Sequence, residues 1–302
     1  GVYDESRMGA LRFKTAIDGQ FLDNDNNNPT PPWSSLAALQ EAVNQLENDV
    51  ESDAIKKWIA VLIAPGSSLG GARPKANIQD THKNLWIAKF PSKMDSIDKA
   101  AWEFLAYKLA VASRIEMSES KIEKIGNNYR TFLTKRFDRK NGQRIHFASA
   151  MTMTGNTEEI LKEHTPSYLE LVEFIENYGA NVTTNLHQLW RRIVFNISIS
   201  NTDDHLRNHG FILTKKGWVL SPAYDLNPST EKDGLALNID MDDNALDFNL
   251  AKSVGKYFRL NEEEMETILD EVLTGVRNWK VYANEIGISR KEQQLMENAF
   301  NV

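Results

Sequence analysis

The chain is 302 residues long, 41% hydrophobic and 25% charged, with a formal net charge of -7 and no cysteine. That length supports two lobes or one large domain with an ample core, and the composition is that of an ordinary soluble globular protein. It excludes disulfide staples, thiolate metal sites and a cysteine nucleophile, fits a reducing cytoplasm, shows no apolar run near the ~20 residues of a membrane span and no signal peptide, and its acidity argues against direct nucleic-acid binding.

In chain order, "RMGALRF" (Arg7 to Phe13) reads as a strand and "NDNNNPTPPW" (Asn24 to Trp33) as a loop. "SLAALQEAVNQLE", with Ser35 as its cap, and "DAIKKWIAVLIA" carry helical apolar spacing. The second of these helices stops at "PGSSLGGARPK" (Pro65 to Lys75), which opens into "ANIQDTHKNLWIAKF", two short strands about a polar turn. A helix is expected from Ile97 to Ser113, then a strand in "YRTFLTKRFDR". Beyond about Asn141 the pattern is mainly helical, in "SYLELVEFIENYG", "TNLHQLWRRIVFNISI", "EEEMETILDEVLTGVRNW" and "RKEQQLMENAF". The expected class is α+β: a strand-containing lobe over residues 1–140, a mainly helical lobe over 141–302, and a cleft between them.

The stretch "NTDDHLRNHGFILTKKGWVLSPAYD" gathers the chemistry. Asp203 and Asn208 stand five apart, just past an apolar helix. "GFILTKKGWVLS" then alternates around Lys215, Lys216 and Gly217 as a hairpin that returns Asp225 beside the loop it left. Clustered acids are costly when buried unpaired, so a cation is expected among them. Protein kinases use this arrangement. A carboxylate faces the attacking hydroxyl, while an Asn and a later Asp give a hard magnesium ion hard oxygen ligands. Solvated loop acids with an Asn cap would show the same residues.

The first half adds three features. "GSSLGGARPK" is flexible enough to bring backbone N–H groups against phosphates, although an ordinary turn reads the same way. Lys89 lies in the apolar strand "LWIAKFP", on the face of Ile87, where apolar residues point. Glu103 neighbours Ala106, Tyr107 and Ala110 on the next helix; a strand Lys paired with such a Glu is the second kinase signature, an ordinary helix Glu the alternative. "KRFDR" (Lys135 to Arg139) falls where a kinase holds adenine by backbone hydrogen bonds.

Two other functions stay open. A metal-dependent hydrolase would draw ligands from Asp203, Asp204, His205, His209 and Asp225. Otherwise His205 orients the loop by hydrogen bonding and His209 is a surface residue. A catalytically inactive kinase-fold binding module would show degraded ligands, whereas the named positions are chemically competent. In "LHQLWRRIVFNI", Arg191 and Arg192 are expected on the solvent or partner face of a core helix.

Together, "RMGALRF", "SSLGGARPK", "WIAKFP", "KRFDR", "RIHFASA", "NTDDHLRNHGFIL" and "SPAYDLNPS" resemble the HipA-like serine/threonine kinases, toxins of bacterial toxin–antitoxin pairs, in the family's order. The resemblance implies a two-lobed protein-kinase-like fold, ATP and Mg2+ as cofactors, and transfer of the ATP γ-phosphate to a protein hydroxyl. It implies a growth-inhibiting toxin neutralised by a HipB-like DNA-binding antitoxin, and a translation-associated substrate such as an aminoacyl-tRNA synthetase. By the same resemblance Asp203 is the catalytic base, Asn208 and Asp225 are magnesium ligands, Lys89 binds phosphate beside Glu103, and Lys135 and Phe137 fall at the adenine hinge. Ser68, Gly70, Gly71 and Lys75 belong to the phosphate loop, with Ser68, or Ser67 beside it, the site of inactivating autophosphorylation. Most chains of that family carry a further portion ahead of "RMGALRF"; here it is absent, separately encoded or removed. Asp204 adjoins the base, but the spacing to Asn208 favours Asp203, so Asp204→Asn is expected to retain much of the activity.

Overall fold

The computed structural model describes residues 3–24, 29–48, 53, 56, 58, 62, 73–126 and 129–302. The chain forms two compact units, Gly1–Phe104 with Ser118–His146, and Leu105–Met117 with Phe147–Val302. The sequence pattern sets a boundary at residue 140, whereas the units change over after His146 and the second also takes in Leu105–Met117.

The first unit is built on a four-stranded antiparallel sheet in the order β1-β2-β4-β3, from Lys75–Gln79, Leu85–Lys89, Ser120–Glu123 (β3) and Thr131–Lys135 (β4). The two-residue period fixes which side is buried. Ala76 pairs with Ala88, Ile78 with Trp86 and Ala88 with Leu133, so all five lie on one face. Helix α1 (Leu36–Glu47) covers that face with Leu36, Leu39 and Val43, and Trp58 and Leu62 pack against the same core. Ser35 stands at the start of α1 but makes no side-chain cap bond, because a 3-10 turn over Trp33–Ser35 already leads the chain into the helix. Residues 53, 56, 58 and 62 of the expected second helix are helical. The turn between β1 and β2 is closed by Asp80, whose carboxylate accepts from the backbone N–H of His82 and Asn84, from Asn84 Nδ2 and from Trp86 Nε1. Helix α2 (Lys99–Ala112) starts after Asp98, which accepts from the Ala101 N–H.

"RMGALRF" is not a strand. Its carbonyls and those just before it are taken by guanidinium groups from the segment after β4 rather than by a neighbouring strand. Arg136 donates to Ser6 O and Arg7 O, Arg139 to Glu5 O, Arg7 O and Gly9 O, and Arg144 to Asp4 O. Gly9 takes φ +74°, and from that left-handed conformation its N–H reaches the buried Asp138 carboxylate at 2.7 Å. The Arg side chains come from around a two-stranded ribbon, β5 (Arg139–Lys140) and β6 (Gln143–Arg144).

In the second unit, "RIHFASA" supplies β7 (Phe147–Ser149), which leads into α3 (Ala150–Met153) and α4 (Ile160–Glu163). Helix α5 (Tyr168–Tyr178) begins with a reciprocal cap between Ser167 and Glu170 and stops at Gly179. Helix α6 (Val182–Ser198) runs through the core, burying Leu186, Leu189, Trp190, Ile193, Val194, Phe195 and Ile197. The hairpin forms as the sequence predicts, with β8 (Gly210–Thr214) turning through Lys215 and Lys216 into β9 (Gly217–Leu220), and β7 joins it as a third strand. After α7 (Phe248–Ser253), α8 (Glu262–Arg277) has a second reciprocal cap, Asn261 with Glu264, three glutamates in its first turn and Arg277 in its last, all complementary to the helix dipole. Helices α9 (Trp279–Ile286) and α10 (Arg290–Leu295) complete the unit. Among the described residues no helix is long and apolar enough to cross a membrane.

Candidate active site

In the first unit, β2 ends at Lys89. Its core face carries Trp86 and Ala88, and Lys89 lies on the other side with Leu85 and Ile87, as the two-residue period places it. It is nonetheless largely enclosed, because Glu103 of α2 stands there and takes Lys89 Nζ at 2.6 Å, with side chains 12% and 7% exposed. The strand register sets Lys75 directly opposite Lys89. The register thus brings two lysines side by side at this end of the sheet. Lys75 is therefore the first residue of β1 as well as the end of the loop. Ser67, Ser68, Gly70 and Gly71 lie outside the described residues.

Lys135 is the last residue of β4, with Nζ 3.6 Å from Glu119 Oε2. Two residues on, Phe137 is half-buried between Arg136 and Asp138, both wholly enclosed.

In the second unit, α6 ends and Ser200 turns the chain with φ +48°. Asp203 is exposed and Asp204 buried. The loop is closed internally: Asn208 Nδ2 donates to the Asp203 carbonyl at 2.9 Å, and the Asn208 N–H to the His205 carbonyl at 2.8 Å. That commits the amide nitrogen and leaves Oδ1 as the atom to offer a cation. Asp225 also takes a left-handed φ, +59°, four residues beyond the hairpin's close at Ser221. Asn227 Nδ2 lies 3.4 Å from Asp225 Oδ1, and the Asn227 N–H donates to Asn201 Oδ1 at 3.4 Å. Asn201 Nδ2 in turn donates to Asn196 Oδ1, and Asn196 Nδ2 to Asp204 Oδ2. A run of asparagine side chains thus links the two acidic segments.

Asp204 is an internal anchor. Its Oδ2 meets Tyr168 Oη at 2.5 Å, Asn196 Nδ2 at 2.7 Å and His209 Nε2 at 2.7 Å. Burial, then the Asp204 charge, push the Tyr168 phenol well above its ordinary range, which keeps it a donor. His209 is buried, not on the surface, because it is one of these three donors. Arg192 is also buried and donates to Ser221 O at 2.6 Å; burial lowers its guanidinium to about 10, against the pull of Asp204 and Glu116. Arg191 pairs with Glu271 at 2.7 Å and donates to Ser113 O. Both arginines therefore face the interior, where acids and carbonyls balance them, rather than solvent. His205 Nδ1 is buried without a hydrogen-bond partner among the described residues, so the loop is not oriented through that nitrogen. Its backbone N–H donates to the Asp203 carbonyl instead.

The hydrolase ligand set is not assembled: Asp204 and His209 are spent on each other, and among the described residues no group of three or more His, Asp or Glu side chains is placed to hold a metal. A magnesium ion asks for less, one or two protein oxygens with phosphates and water completing its shell, and Asn208 Oδ1 and Asp225 fit that chemistry.

An ion-paired strand lysine on a small sheet, and an exposed acid, an asparagine and a second acid around a hairpin, belong to a kinase-like fold of mixed α and β structure. The family model for the HipA-like C-terminal domain matches residues 67–279, and the chain belongs to that family. The chain is 23% identical over 211 residues to the Sinorhizobium fredii (strain NBRC 101917 / NGR234) protein named "Putative kinase Y4mE", covering 67% of this chain and 43% of that one. It thus spans less than half the length of that relative. Its fold matches a chain of the Shewanella oneidensis MR-1 toxin–antitoxin complex of HipA, HipB and operator DNA, with a TM-score of 0.64 at 18% identity over 86% of this chain and 68% of that one. Helicobacter pylori proinflammatory kinase CtkA aligns with a TM-score of 0.46 at 13% identity, over 70% of this chain and 94% of that one.

The sequence reading missed the roles of Asp138, Arg136, Asp204, Tyr168 and His209. An uninterrupted "RFDR" and a second acid beside the base were the available signals, and neither says which partner each charge finds.

Proposed function

We propose that the protein is an ATP-dependent serine/threonine protein kinase of the HipA type. The observation that carries this reading is the Lys89–Glu103 ion pair at 2.6 Å with Lys75 opposite it in the register. Bound magnesium-ATP supplies the transferable γ-phosphoryl group and the divalent charge that balances its oxygens. Glu103 holds the Lys89 ammonium in place, and Lys89 and Lys75 offer positive charge to the phosphates. Asn208 and Asp225 hold the cation. Asp203, exposed on a loop closed by its own carbonyl, accepts the proton of the incoming protein hydroxyl. The segment from Lys135 to Phe137 serves adenine.

The same reading gives the protein a growth-inhibiting role, a HipB-like DNA-binding antitoxin as partner and a substrate among translation proteins. It also makes Ser68, or Ser67, a site of self-inactivation, since a phosphate there brings close to two negative charges against the bound γ-phosphate.

Calorimetry with magnesium-ATP tests the reading. Lys89→Ala and Asp225→Asn should each weaken binding, while Asp203→Asn should bind normally and transfer nothing. Unchanged affinity in both of the first two variants sinks the assignment. Intact-mass measurement after incubation with magnesium-ATP should show added phosphate in the unaltered protein and none in Asp203→Asn.

A further inference from the structure

The carbonyls of the segment Asp4–Gly9 are bound by side chains that follow β4, while Asp23 and Arg12 hold its Asp4 end. The carbonyls of Asp4, Glu5, Ser6, Arg7 and Gly9 each accept from Arg136, Arg139 or Arg144 at 2.5–3.2 Å. In the other direction the Gly9 N–H donates to Asp138 Oδ2. The same Asp138 oxygen takes Arg136 Nη2 and Arg139 Nη1, both at 2.6 Å, and Oδ1 takes Arg136 Nε at 2.9 Å. Arg136 and Asp138 are completely enclosed. Arg136 is further tied to the sheet, through Asn77 Oδ1 and through its own N–H to Leu85 O.

This is an unusual amount of buried charge for holding a short segment that contributes few apolar side chains to the core. Buried ion pairs are poor stabilisers compared with apolar packing, but they fix one geometry, since any shift leaves a charge unpaired. What they fix here is the backbone from Lys135 to Arg139. Phe137 sits between the two enclosed members of the cluster.

We propose that Asp4–Gly9 is a positioning strap for the nucleotide hinge: by engaging Arg136, Asp138 and Arg139 together, it holds the Lys135–Asp138 backbone in the one conformation that accepts adenine. This rests on the kinase reading, in which that segment is the hinge. The strap touches no reacting atom. It acts through Asp138, and its contribution is to nucleotide affinity and not to the phosphoryl-transfer step. It also gives "RMGALRF" a role that a sheet strand would not have had, and explains why the motif needs Gly9, whose φ of +74° is hard for other residues to adopt.

The test uses the full chain and two variants. Arg139→Gln removes the guanidinium donors to Glu5 and Gly9, one of the two to Arg7 and its own to the Asp138 carboxylate, and Gly9→Ala strains the strap while leaving every guanidinium in place. Each should raise the KM for ATP about three- to tenfold, the size of one ordinary hydrogen bond, with kcat changed by less than about twofold. Hydrogen exchange should quicken at the amides of residues 131–140 in both. Arg139→Lys, which keeps the charge without the planar fork, should resemble Arg139→Gln. Variants that melt earlier but keep the KM of the unaltered protein would overturn the strap and leave the kinase reading standing. Unaltered protein that binds no ATP would overturn the kinase reading and the strap with it.

Discussion

Replacing Asp204 by Asn tests whether the second acid of the pair is an anchor. In the folded protein one carboxylate oxygen receives three donors within 2.7 Å, from Tyr168, Asn196 and His209, and the buried Arg192 stands within its field. An amide oxygen can still accept from those groups, but as a neutral acceptor. Hydrogen bonds to a charged group contribute about 1.5–3 kcal/mol and neutral ones about 0.5–1.5, so three conversions cost about 3 kcal/mol. Arg192 also loses a counter-charge at a site almost closed to water. Together these fall in the range of about 3–5 kcal/mol found when one partner of a buried pair is removed. For a unit of this size about 2–4 °C is lost per kcal/mol, so the melting midpoint should fall by about 6–20 °C. Asp203→Asn, on an exposed carboxylate, should stay within about 0.5 kcal/mol of the unaltered protein. Urea unfolding followed by tryptophan fluorescence measures both. If Asp204→Asn unfolds where the unaltered protein does, or if Asp203→Asn loses as much, the anchor assignment is wrong. Any activity that Asp204→Asn loses should therefore follow its loss of stability, with Asp203 untouched.

Lys89→Ala removes the ion pair from Glu103 in a site 7% exposed and should destabilise the first unit by about 3 kcal/mol. Combining Lys89→Met with Glu103→Leu should recover most of that stability while ATP binding stays lost, a split that calorimetry and thermal melting resolve together. Burial pulls the Asp80 carboxyl up, but the hydrogen bonds from Asn84, Trp86 and His82 outweigh it and hold the group at about 2, below its ordinary 3.8. Its stabilisation, about 1 kcal/mol after allowance for solvent screening, is present above pH 4 and disappears as pH falls from there toward 2. Asp80→Asn should flatten that part of the stability–pH curve, and an unchanged curve would count against the turn's role. A Cβ at Gly210 would stand 2.2 Å from Phe147 Cε2 and 3.0 Å from the Ala148 carbonyl, so Gly210→Ala should cost about 1–3 kcal/mol in denaturant unfolding.

Local pattern was enough for the elements whose signals are local. The β1–β2 hairpin, the β8–β9 turn at Lys215–Lys216 and helices α2, α5, α6 and α8 follow from two- and 3.6-residue periods, caps and turn residues. Asp203, Asn208 and Asp225 could be singled out because their spacing is short and their types are chemically specific. Lys89 and Glu103 were legible for a related reason, a charge at an otherwise apolar position. What the sequence left undecided were the partners of charges that meet across long separations. "RMGALRF" has a strand's alternation, but its carbonyls are claimed by arginines about 130 residues away, and side-chain donors that strong displace a sheet neighbour. Arg191, Arg192 and His209 look solvent-facing on hydropathy alone, and are buried because Glu271, Ser221 and Asp204 wait for them. The two acids at 203 and 204 are chemically identical in the sequence; only folding separates them. One backbone step turns the first toward water and the second toward Tyr168, Asn196 and His209, and a carboxylate buried among three donors is out of a substrate's reach.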